Sequence, residues 1–291
     1  MAKHDDDERR LEVRKMYKLY INGQFTRSES GRSDPYGSSN VARASRKDLR
    51  DAVVAARTGH NAWYGLSPAL RGQILYRLTE MLEGRRAELA ERLEEGSGLM
   101  RDEARREVVL AIDRTLWYAG WCDKYAAMLS ARNPVAGPHF NFSTPEPMGV
   151  VGVVAPDRPG LLGLVTALVP PLVSGNAVVA IASEEDPRAA IVFAECIATS
   201  DMPAGACNIL TGKRIDLVPH LARHMDVNAI AGYGLDPSFE AEMVRMATEN
   251  LKRVHFEPPI PPDRWGSPEF DDLDRIAAFV EIKTIWHPAA I

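Results

Sequence analysis

The stretch PEPMGVVGVVAP, residues 145–156, decides how this chain is expected to fold. Its second half is an unbroken apolar run that ends in proline, which is typical of a short strand buried on both faces. Further apolar segments follow it, and a helical pattern separates each from the next. Strands are predicted near 148–155, 176–182, 207–210, 227–231 and 252–257, with helices near 161–173, 187–200, 214–224 and 237–250. Strands that alternate with helices in this way predict an α/β fold with a doubly wound parallel sheet.

The residues before this sheet predict a hairpin and a group of helices. YINGQF, residues 20–25, has an Asn-Gly turn between apolar residues, which is a strong hairpin signal. Residues 28–44 are polar and rich in turn formers, and the first eighteen residues are expected to form a charged, solvated tail. Helical stretches are predicted near 47–64, 68–95 and 103–131.

Composition excludes several classes of protein. The chain has 291 residues and a formal net charge of −5, which argues against nucleic-acid binding, because phosphate contacts need clustered Lys and Arg. Its most apolar stretch, residues 161–182, is interrupted by Pro170 and Pro171, so no membrane association is expected. The three cysteines have no CxxC spacing, which favours free thiols in a reducing compartment. We therefore expect a cytoplasmic location.

Taken in order, the motifs of this chain resemble those of the NAD(P)-dependent aldehyde dehydrogenases. The segments that carry the resemblance are YINGQF, LWYAGWCDKY (116–125), PEPMGVVGVVAP, SGNAVVAIASEEDP (174–187), MPAGACNILTG (202–212), LKRVHFE (251–257) and FVEIKTIWHP (279–288). The segments SESGRS (28–33) and EIKTIWHP (281–288) also resemble those of one bacterial branch of the superfamily. The genes of that branch lie beside a deoxyribose-phosphate aldolase gene.

The resemblance implies a family member without its catalytic domain. Family members combine a Rossmann-like cofactor domain, a catalytic domain with a nucleophilic cysteine and a small oligomerisation arm. The catalytic domain lies between the LKRVHFE-like segment and the C-terminal strand, but only residues 258–278 separate them here. The expected organisation is a tail at 1–18, a hairpin with helices at 19–138, an arm hairpin at 139–154, a Rossmann-like domain at 148–257, a linker at 258–278 and an arm strand at 279–291.

No residue of this chain matches the catalytic machinery of the family convincingly. Cys122, Cys196 and Cys207 all lie away from the position of the family's nucleophile, so each is interpreted as a buried core residue. Arg158 stands where the family has the asparagine that stabilises an oxyanion, and a guanidinium does not replace a compact amide donor. Glu257 falls on the family's general base and is interpreted as a relic.

The resemblance places the remains of a cofactor site at the ends of the first strands. The matching positions are Pro156, Ser183, Glu184 and Gly232. Two neighbouring positions depart from the family: Ile181 replaces a lysine that holds the adenosine ribose, and Tyr233 replaces a small residue that lets the backbone approach the pyrophosphate. We therefore expect weak binding of NAD or NADP at most.

A metal site is not expected. His220 and His224 are four residues apart on a predicted helix and could face one ion, but HLARH has no paired carboxylate such as that of HExxH. A solvated helix face explains both histidines.

The C-terminal strand carries the functional prediction. Val280, Ile282 and Trp286 point one way and Glu281, Lys283 and Ile285 the other, so the first three are expected to share one face of a third strand added to the arm hairpin. In family dimers the arm extends the sheet of the neighbour's catalytic domain. We therefore expect a non-catalytic subunit that pairs with a full-length aldehyde dehydrogenase, or a homo-oligomer. Two alternatives remain open: an NAD(P)-dependent oxidoreductase that acts in a composite site, and a nucleotide-sensing regulator.

Overall fold

The computed structural model describes residues 13–289. Its strands are β1 Lys15–Tyr17, β2 Leu19–Ile21, β3 Gln24–Thr26, β4 Ser33–Tyr36, β5 Ser39–Ala42, β6 Ala131–Asn133, β7 His139–Pro147, β8 Val150–Val154, β9 Ala177–Ile181, β10 Cys207–Leu210, β11 Ala229–Tyr233, β12 Arg253–Glu257 and β13 Val280–Pro288. Its α-helices are α1 Arg46–Tyr64, α2 Pro68–Gly84, α3 Arg86–Ser97, α4 Arg101–Ala119, α5 Tyr125–Leu129, α6 Gly160–Val173, α7 Arg188–Ala198, α8 Arg214–Arg223, α9 Pro237–Ala247 and α10 Asp274–Ala277.

A seven-stranded sheet forms the centre of the molecule, in the order β12–β11–β8–β9–β10–β2–β3. Strands β8 to β12 are parallel, and the hairpin β2–β3 joins the edge at β10 in the antiparallel sense. This confirms the expected α/β class. Chain order reverses between β8 and β11, so this is the point where a doubly wound sheet opens a crevice at the carboxyl ends of its strands.

Helices cover both faces of this sheet and enclose two apolar cores. On one face, α6 and α7 pack against the strands, with α2 and α4 behind them. On the other face, α1, α8 and α9 cover the strands. Each side chain of β8 and β9 is buried, which explains why these strands are continuous apolar runs rather than alternating ones.

Two of the expected helices are broken. The stretch 68–95 divides at Arg85, whose φ of −109° and ψ of 12° lie outside the helical range, so α2 ends at Gly84 and α3 begins afresh. Glycine favours such a break because its backbone loses more entropy in a helix than that of other residues. The stretch 103–131 likewise ends at Ala119, before the short α5.

The region expected to be a tail and a turn-rich loop contains a small second sheet. Strand β1 pairs in parallel with β5, which also pairs antiparallel with β4. Tyr17, within the expected tail 1–18, is 2% exposed. Residues 15–17 are ordered because this aromatic ring is buried against the core. The polar sequence around it did not predict that burial. The rest of that expectation, residues 1–12, lies outside the described residues.

The arm hairpin differs from the expected residues 139–154. Residues 144–147 continue the nine-residue strand β7 instead of turning back toward β8. Strand β7 pairs with β6 and β13, whereas β8 belongs to the central sheet. Pro145 and Pro147 are tolerated in β7 for two reasons. On one side they lie opposite Ile282 and Val280 of β13, and on the other side β6 extends only to the partners of residues 141–143. No ladder donor is lost at these positions.

The expected linker, residues 258–278, is an ordered part of the body. It contains a 3₁₀ turn at Pro268–Phe270 and the short helix α10. Trp265 and Phe270 are both 3% exposed and stack on one another with ring centroids 5.5 Å apart. A proline-rich composition suggested a loose connection, but two buried aromatic rings anchor the segment.

Candidate functional site

The candidate site is the crevice at the carboxyl ends of β8, β9 and β11. Residues 155–160 follow β8, residues 182–187 follow β9 and residues 234–236 follow β11. These loops meet because parallel strands all present their carboxyl ends at the same edge of the sheet. The expected cofactor residues Pro156, Ser183, Glu184 and Gly232 therefore lie at this edge of the sheet, where the carboxyl ends of β8, β9 and β11 are found.

An internal ion pair occupies the loop after β8. Arg214, the first residue of α8, donates from both terminal nitrogens to the Asp157 carboxylate at 2.8 and 2.9 Å. It also donates to the carbonyl oxygen of Ala155 at 2.6 Å. A bidentate guanidinium–carboxylate pair is the strongest common side-chain hydrogen bond, so this contact fixes the loop.

Ser183 and Glu184 are committed to the same internal network. The Ser183 hydroxyl and the Glu184 backbone N–H both donate to Asp157 Oδ1, at 3.2 and 2.8 Å. The Glu184 carboxylate accepts from the backbone N–H of Arg214 at the start of α8. A ligand that used these two residues would have to break bonds that now hold three elements together.

The first crossover helix already has a carboxyl side chain bound to its N-terminal amides. The Glu107 carboxylate, from α4, accepts from the backbone N–H groups of Leu161 and Leu162 at 2.8 and 3.2 Å. Burial raises the pKa of Glu107 above its ordinary value, and the two amide hydrogen bonds offset only part of that effect. In a doubly wound sheet these amides are the usual site for a ligand phosphate. Here the chain's own carboxylate takes that place.

Close packing surrounds two of the expected cofactor residues. Pro156 packs so closely on Gly163 that a Cβ at Gly163 would overlap its ring. A Cβ at Gly232 would likewise overlap Leu235 and Phe256, so packing requires a glycine here whether or not a ligand binds. The cavity lined by residues of the loops after β8 and β9, with α3, encloses only ≈ 10 Å³. Tyr233 is fully buried.

Arg158, which was expected at the family's oxyanion-stabilising position, is directed toward solvent. Its side chain pairs with the Glu185 carboxylate and is 59% exposed. An exposed guanidinium that already has a carboxylate partner supplies no preorganised donor to a reacting carbonyl.

Glu257 is the centre of a second ion cluster. Both carboxylate oxygens accept from the Arg275 guanidinium, one of them at 3.1 Å, and His255 Nε2 lies 3.3 Å from Oε1. Burial acts to raise the pKa of Glu257, but the bonds from His255 and Arg275 outweigh it, and the pKa falls below its ordinary value. Such a carboxylate stays ionised and bound, and it is a poor general base.

Arg275, the partner of Glu257, lies in the segment 258–278 that was expected to be a linker. Arg114 of α4 holds that segment to the body: it donates to Asp271 at 3.1 Å and to the Trp265 carbonyl oxygen at 2.8 Å. The Tyr118 hydroxyl donates to the Phe270 carbonyl oxygen at 2.8 Å. Nothing in the sequence predicted these contacts, because the residues lie more than a hundred positions apart.

The three cysteines lie in the core, away from the crevice and from Glu257. All are buried free thiols. Burial raises the pKa of Cys122 and of Cys196 to about 12, and it raises the pKa of Cys207 as well. A nucleophile must be a thiolate, so none of these groups is activated.

The histidine pair at the C-terminal end of α8, His220 and His224, has ordinary surface surroundings. His224 Nδ1 accepts from the Asp226 backbone N–H at 3.3 Å, and burial lowers the pKa of His220 and of His224, with nearby cations adding to the effect. Within residues 13–289, no group of three or more His, Cys, Asp or Glu side chains is arranged to hold a metal ion. Over the same range, no helix is both long and apolar enough to cross a membrane.

The three-stranded sheet β13–β7–β6 forms the arm. The whole of β13 pairs with β7, from Val280 opposite Pro147 to Pro288 opposite His139. No described strand pairs with the other edge of β13. Val280 is 4% exposed and anchors the strand in the core, whereas Ile282 and Trp286 are 53% and 61% exposed. The expected interface residues therefore divide into one anchor and two free apolar side chains.

Comparison with known proteins agrees with this architecture. The model of the aldehyde dehydrogenase family matches residues 33–259, so the chain belongs to that family. It is 32% identical to DhaS of Bacillus subtilis, over 82% of this chain and 50% of that protein. It is also 32% identical to cytosolic 10-formyltetrahydrofolate dehydrogenase of Xenopus laevis, over 85% of this chain and 29% of that protein.

A solved structure shows the same fold. PnpE from Pseudomonas sp. WBC-3, crystallised in complex with nicotinamide adenine dinucleotide, superposes with a TM-score of 0.78 at 28% identity, over 83% of this chain and 50% of PnpE. The chain thus spans about half the length of DhaS and of PnpE. The expectation of family membership is confirmed.

Proposed function

We propose that this chain is a non-catalytic member of the aldehyde dehydrogenase family that binds a full-length aldehyde dehydrogenase subunit and stabilises or positions it. One observation carries the proposal: within the described residues, the outer edge of β13 has no strand partner, and it is flanked by exposed Ile282 and Trp286. An open edge with apolar side chains attracts a further strand unless it is protected.

The proposal that the chain lacks catalysis rests on the state of its candidate groups. Glu257 is bound to Arg275, and the three thiols are buried with raised pKa values. Aldehyde oxidation through a thioester needs a thiolate next to oxyanion donors. No described cysteine is placed to serve such a site.

The choice of partner rests on the family and on length. This chain spans only about half of DhaS, and its family match ends at residue 259. A relative with the other half contains a sheet that this sequence does not supply between β12 and β13. Strand addition would then join the two chains through main-chain hydrogen bonds, with side chains such as Trp286 giving specificity.

Co-expression with a full-length aldehyde dehydrogenase from the same genome tests the proposal. The tagged chain is expected to retain the untagged enzyme on an affinity column, and the two are expected to co-elute in size-exclusion chromatography. The matched variant Ile282→Lys with Trp286→Lys places charges at the edge and is expected to abolish retention. If the enzyme elutes alone beside the unmodified chain, the proposal is wrong.

The cofactor part of the proposal is weak binding of NAD or NADP. Family membership and the NAD complex of PnpE support a dinucleotide as the ligand class. The residues present fit it poorly, because Glu107 caps the α6 amides and Asp157 is paired with Arg214. We derive no reaction through this ligand.

A further inference from the structure

Two hydrogen bonds show to which side each β13 residue directs its backbone N–H and C=O groups. Ala289 N–H donates to the Pro138 carbonyl oxygen, so the odd-numbered residues of this strand face β7. The Val280 carbonyl oxygen accepts from Arg253 on the other side, at 2.9 Å. Since successive residues alternate, Ile282, Thr284 and Trp286 direct their N–H and C=O groups away from β7.

These three outward residues are symmetric about Thr284. We propose that a second copy of the chain pairs with this edge in the antiparallel sense, around a two-fold axis at Thr284, whenever no catalytic partner occupies it. The inference rests on the proposed function, because it assigns a second state to the same docking edge. The result is a homodimer in which the two arms form one continuous six-stranded sheet.

Side-chain chemistry supports this register. With the axis at Thr284, Ile282 of each copy lies opposite Trp286 of the other. The dimer therefore has two Ile282–Trp286 contacts, which cover apolar side chains that are exposed in the single chain. Glu281, whose carboxylate also pairs with Arg253 at 3.0 Å, lies opposite His287 of the other copy. Each outward residue also exchanges two main-chain hydrogen bonds with the residue opposite.

The neighbouring registers are worse. An axis at Lys283 places this lysine opposite its own copy, and like charges directly opposite are destabilising. An axis at Ile285 places Lys283 opposite His287, so two basic side chains would face each other. An axis at Ile282 requires Val280 to pair with Thr284, but Val280 is buried and its carbonyl oxygen already accepts from Arg253. A closed two-fold contact then uses the edge fully and leaves none of it free.

The dimer would regulate access to the arm. A catalytic subunit has to displace the second copy before it can add its own strand, so the two complexes exclude one another. High concentrations of the free chain favour the homodimer, and the catalytic subunit competes with it by mass action.

Disulfide trapping of the purified full chain tests the register. In a hydrogen-bonded antiparallel pair the Cα atoms are about 5.5 Å apart, within the range that a disulfide spans. Thr284→Cys is therefore expected to give a covalent dimer, of twice the 32.1 kDa chain mass, on mild oxidation. His287→Cys is the matched control: its two copies would lie six residues out of register, about 20 Å apart at about 3.3 Å per residue, and should not link. The native thiols are buried and do not interfere.

A proline variant separates the edge from the fold. The Thr284 N–H faces outward, so Thr284→Pro keeps the β7–β13 ladder and removes a donor from the proposed interface. Light scattering is expected to show a dimer for the unmodified chain and for Thr284→Val, and a monomer for Thr284→Pro with unchanged circular dichroism. A monomeric unmodified chain, equal linking of the two cysteine variants or a dimeric Thr284→Pro would each overturn the inference.

Those outcomes are distinct from failure of the proposed function. If the chain is monomeric but retains the full-length enzyme on the column, self-pairing is wrong and the partner proposal stands. If Thr284→Cys links and the enzyme is not retained, the reverse holds.

Discussion

Glu257 shows how one contact changes the chemistry of a residue. Its position matches a family general base, but the Arg275 guanidinium and His255 occupy its carboxylate oxygens. A base must have a lone pair free and a pKa close to the working pH. The pKa of this carboxylate is lowered and its oxygens are held by Arg275 and His255, so it is placed to hold the segment 258–278 against β12 rather than to move a proton.

Removing the arginine partner should destabilise the protein. Arg275→Ala leaves Glu257 half-buried and without its main partner, and loss of one member of a buried pair costs about 3 kcal/mol. Urea denaturation would measure the change in free energy of unfolding. The matched control Arg264→Ala removes an exposed pair with Glu269 and should change stability much less, because exposed ion pairs contribute little. Equal effects of the two variants would contradict this account.

The same cluster predicts a pH dependence of stability. Because folding lowers the pKa of Glu257, its stabilisation is complete above the unfolded value of about 4.3. It is lost as the pH falls from there through the folded pKa. Glu257→Gln should therefore lose stability at neutral pH and show a flatter loss between neutral pH and acid than the unmodified chain, in urea titrations across pH. An unchanged acid limb would show that Glu257 is not ion-paired when folded.

The thiols give a prediction about reactivity. Cys122, Cys196 and Cys207 are buried with raised pKa values, so almost no thiolate is present near neutral pH. An Ellman assay of the native chain at pH 8 should show slow release, with the three thiols reacting at once in denaturant. Rapid labelling of one thiol in the native state would identify an activated cysteine and weaken the non-catalytic proposal.

At the scale of elements, the segment 258–278 is the largest departure from expectation. It stands between β12 and β13, where a proline-rich composition suggested a flexible linker. Instead, Trp265 and Phe270 stack in a site next to α4 and α6, and Arg114 and Tyr118 bind its backbone. The segment therefore fixes where β13 begins, and through β13 it fixes the position of the arm.

A truncation of Trp265 tests whether the segment is anchored. Trp265→Ala removes a buried aromatic ring, and such changes typically cost about 3–5 kcal/mol. Thermal or urea unfolding would measure the loss, with the exposed neighbour Asp263→Ala as a control of small effect. A loose linker would tolerate both substitutions equally.

At the scale of the whole molecule, the chain keeps the doubly wound sheet and the arm while its crevice is closed from within. Glu107 and Asp157 bring carboxylates to the edge where a dinucleotide would need amide donors and positive charge. This closure agrees with the proposed role of the chain as a support for the arm more than a ligand-binding domain. The arm is the only one of its three sheets with a long outer strand exposed to a partner, among the described residues.

This closure predicts weak cofactor binding. Isothermal titration of the chain with NAD and with NADP should give a dissociation constant of about 1 mM or weaker, because a ligand must replace internal hydrogen bonds that are already satisfied. A full-length family member titrated under the same conditions serves as the positive control. Micromolar binding by this chain would contradict the account of the crevice and would favour the nucleotide-sensing alternative.

The sequence by itself determined the family, the succession of parallel strands along the chain and the burial of the cysteines, because each depends on local pattern or on an ordered set of motifs. Only the tertiary structure decided the partners of Glu257 and Asp157, the extent of β7, the anchoring of Trp265 and the free edge of β13. These features join residues far apart in the chain, such as Arg114 with Asp271. Local periodicity reports which face of an element is apolar, but it contains no information on which distant polar group will reach a given side chain.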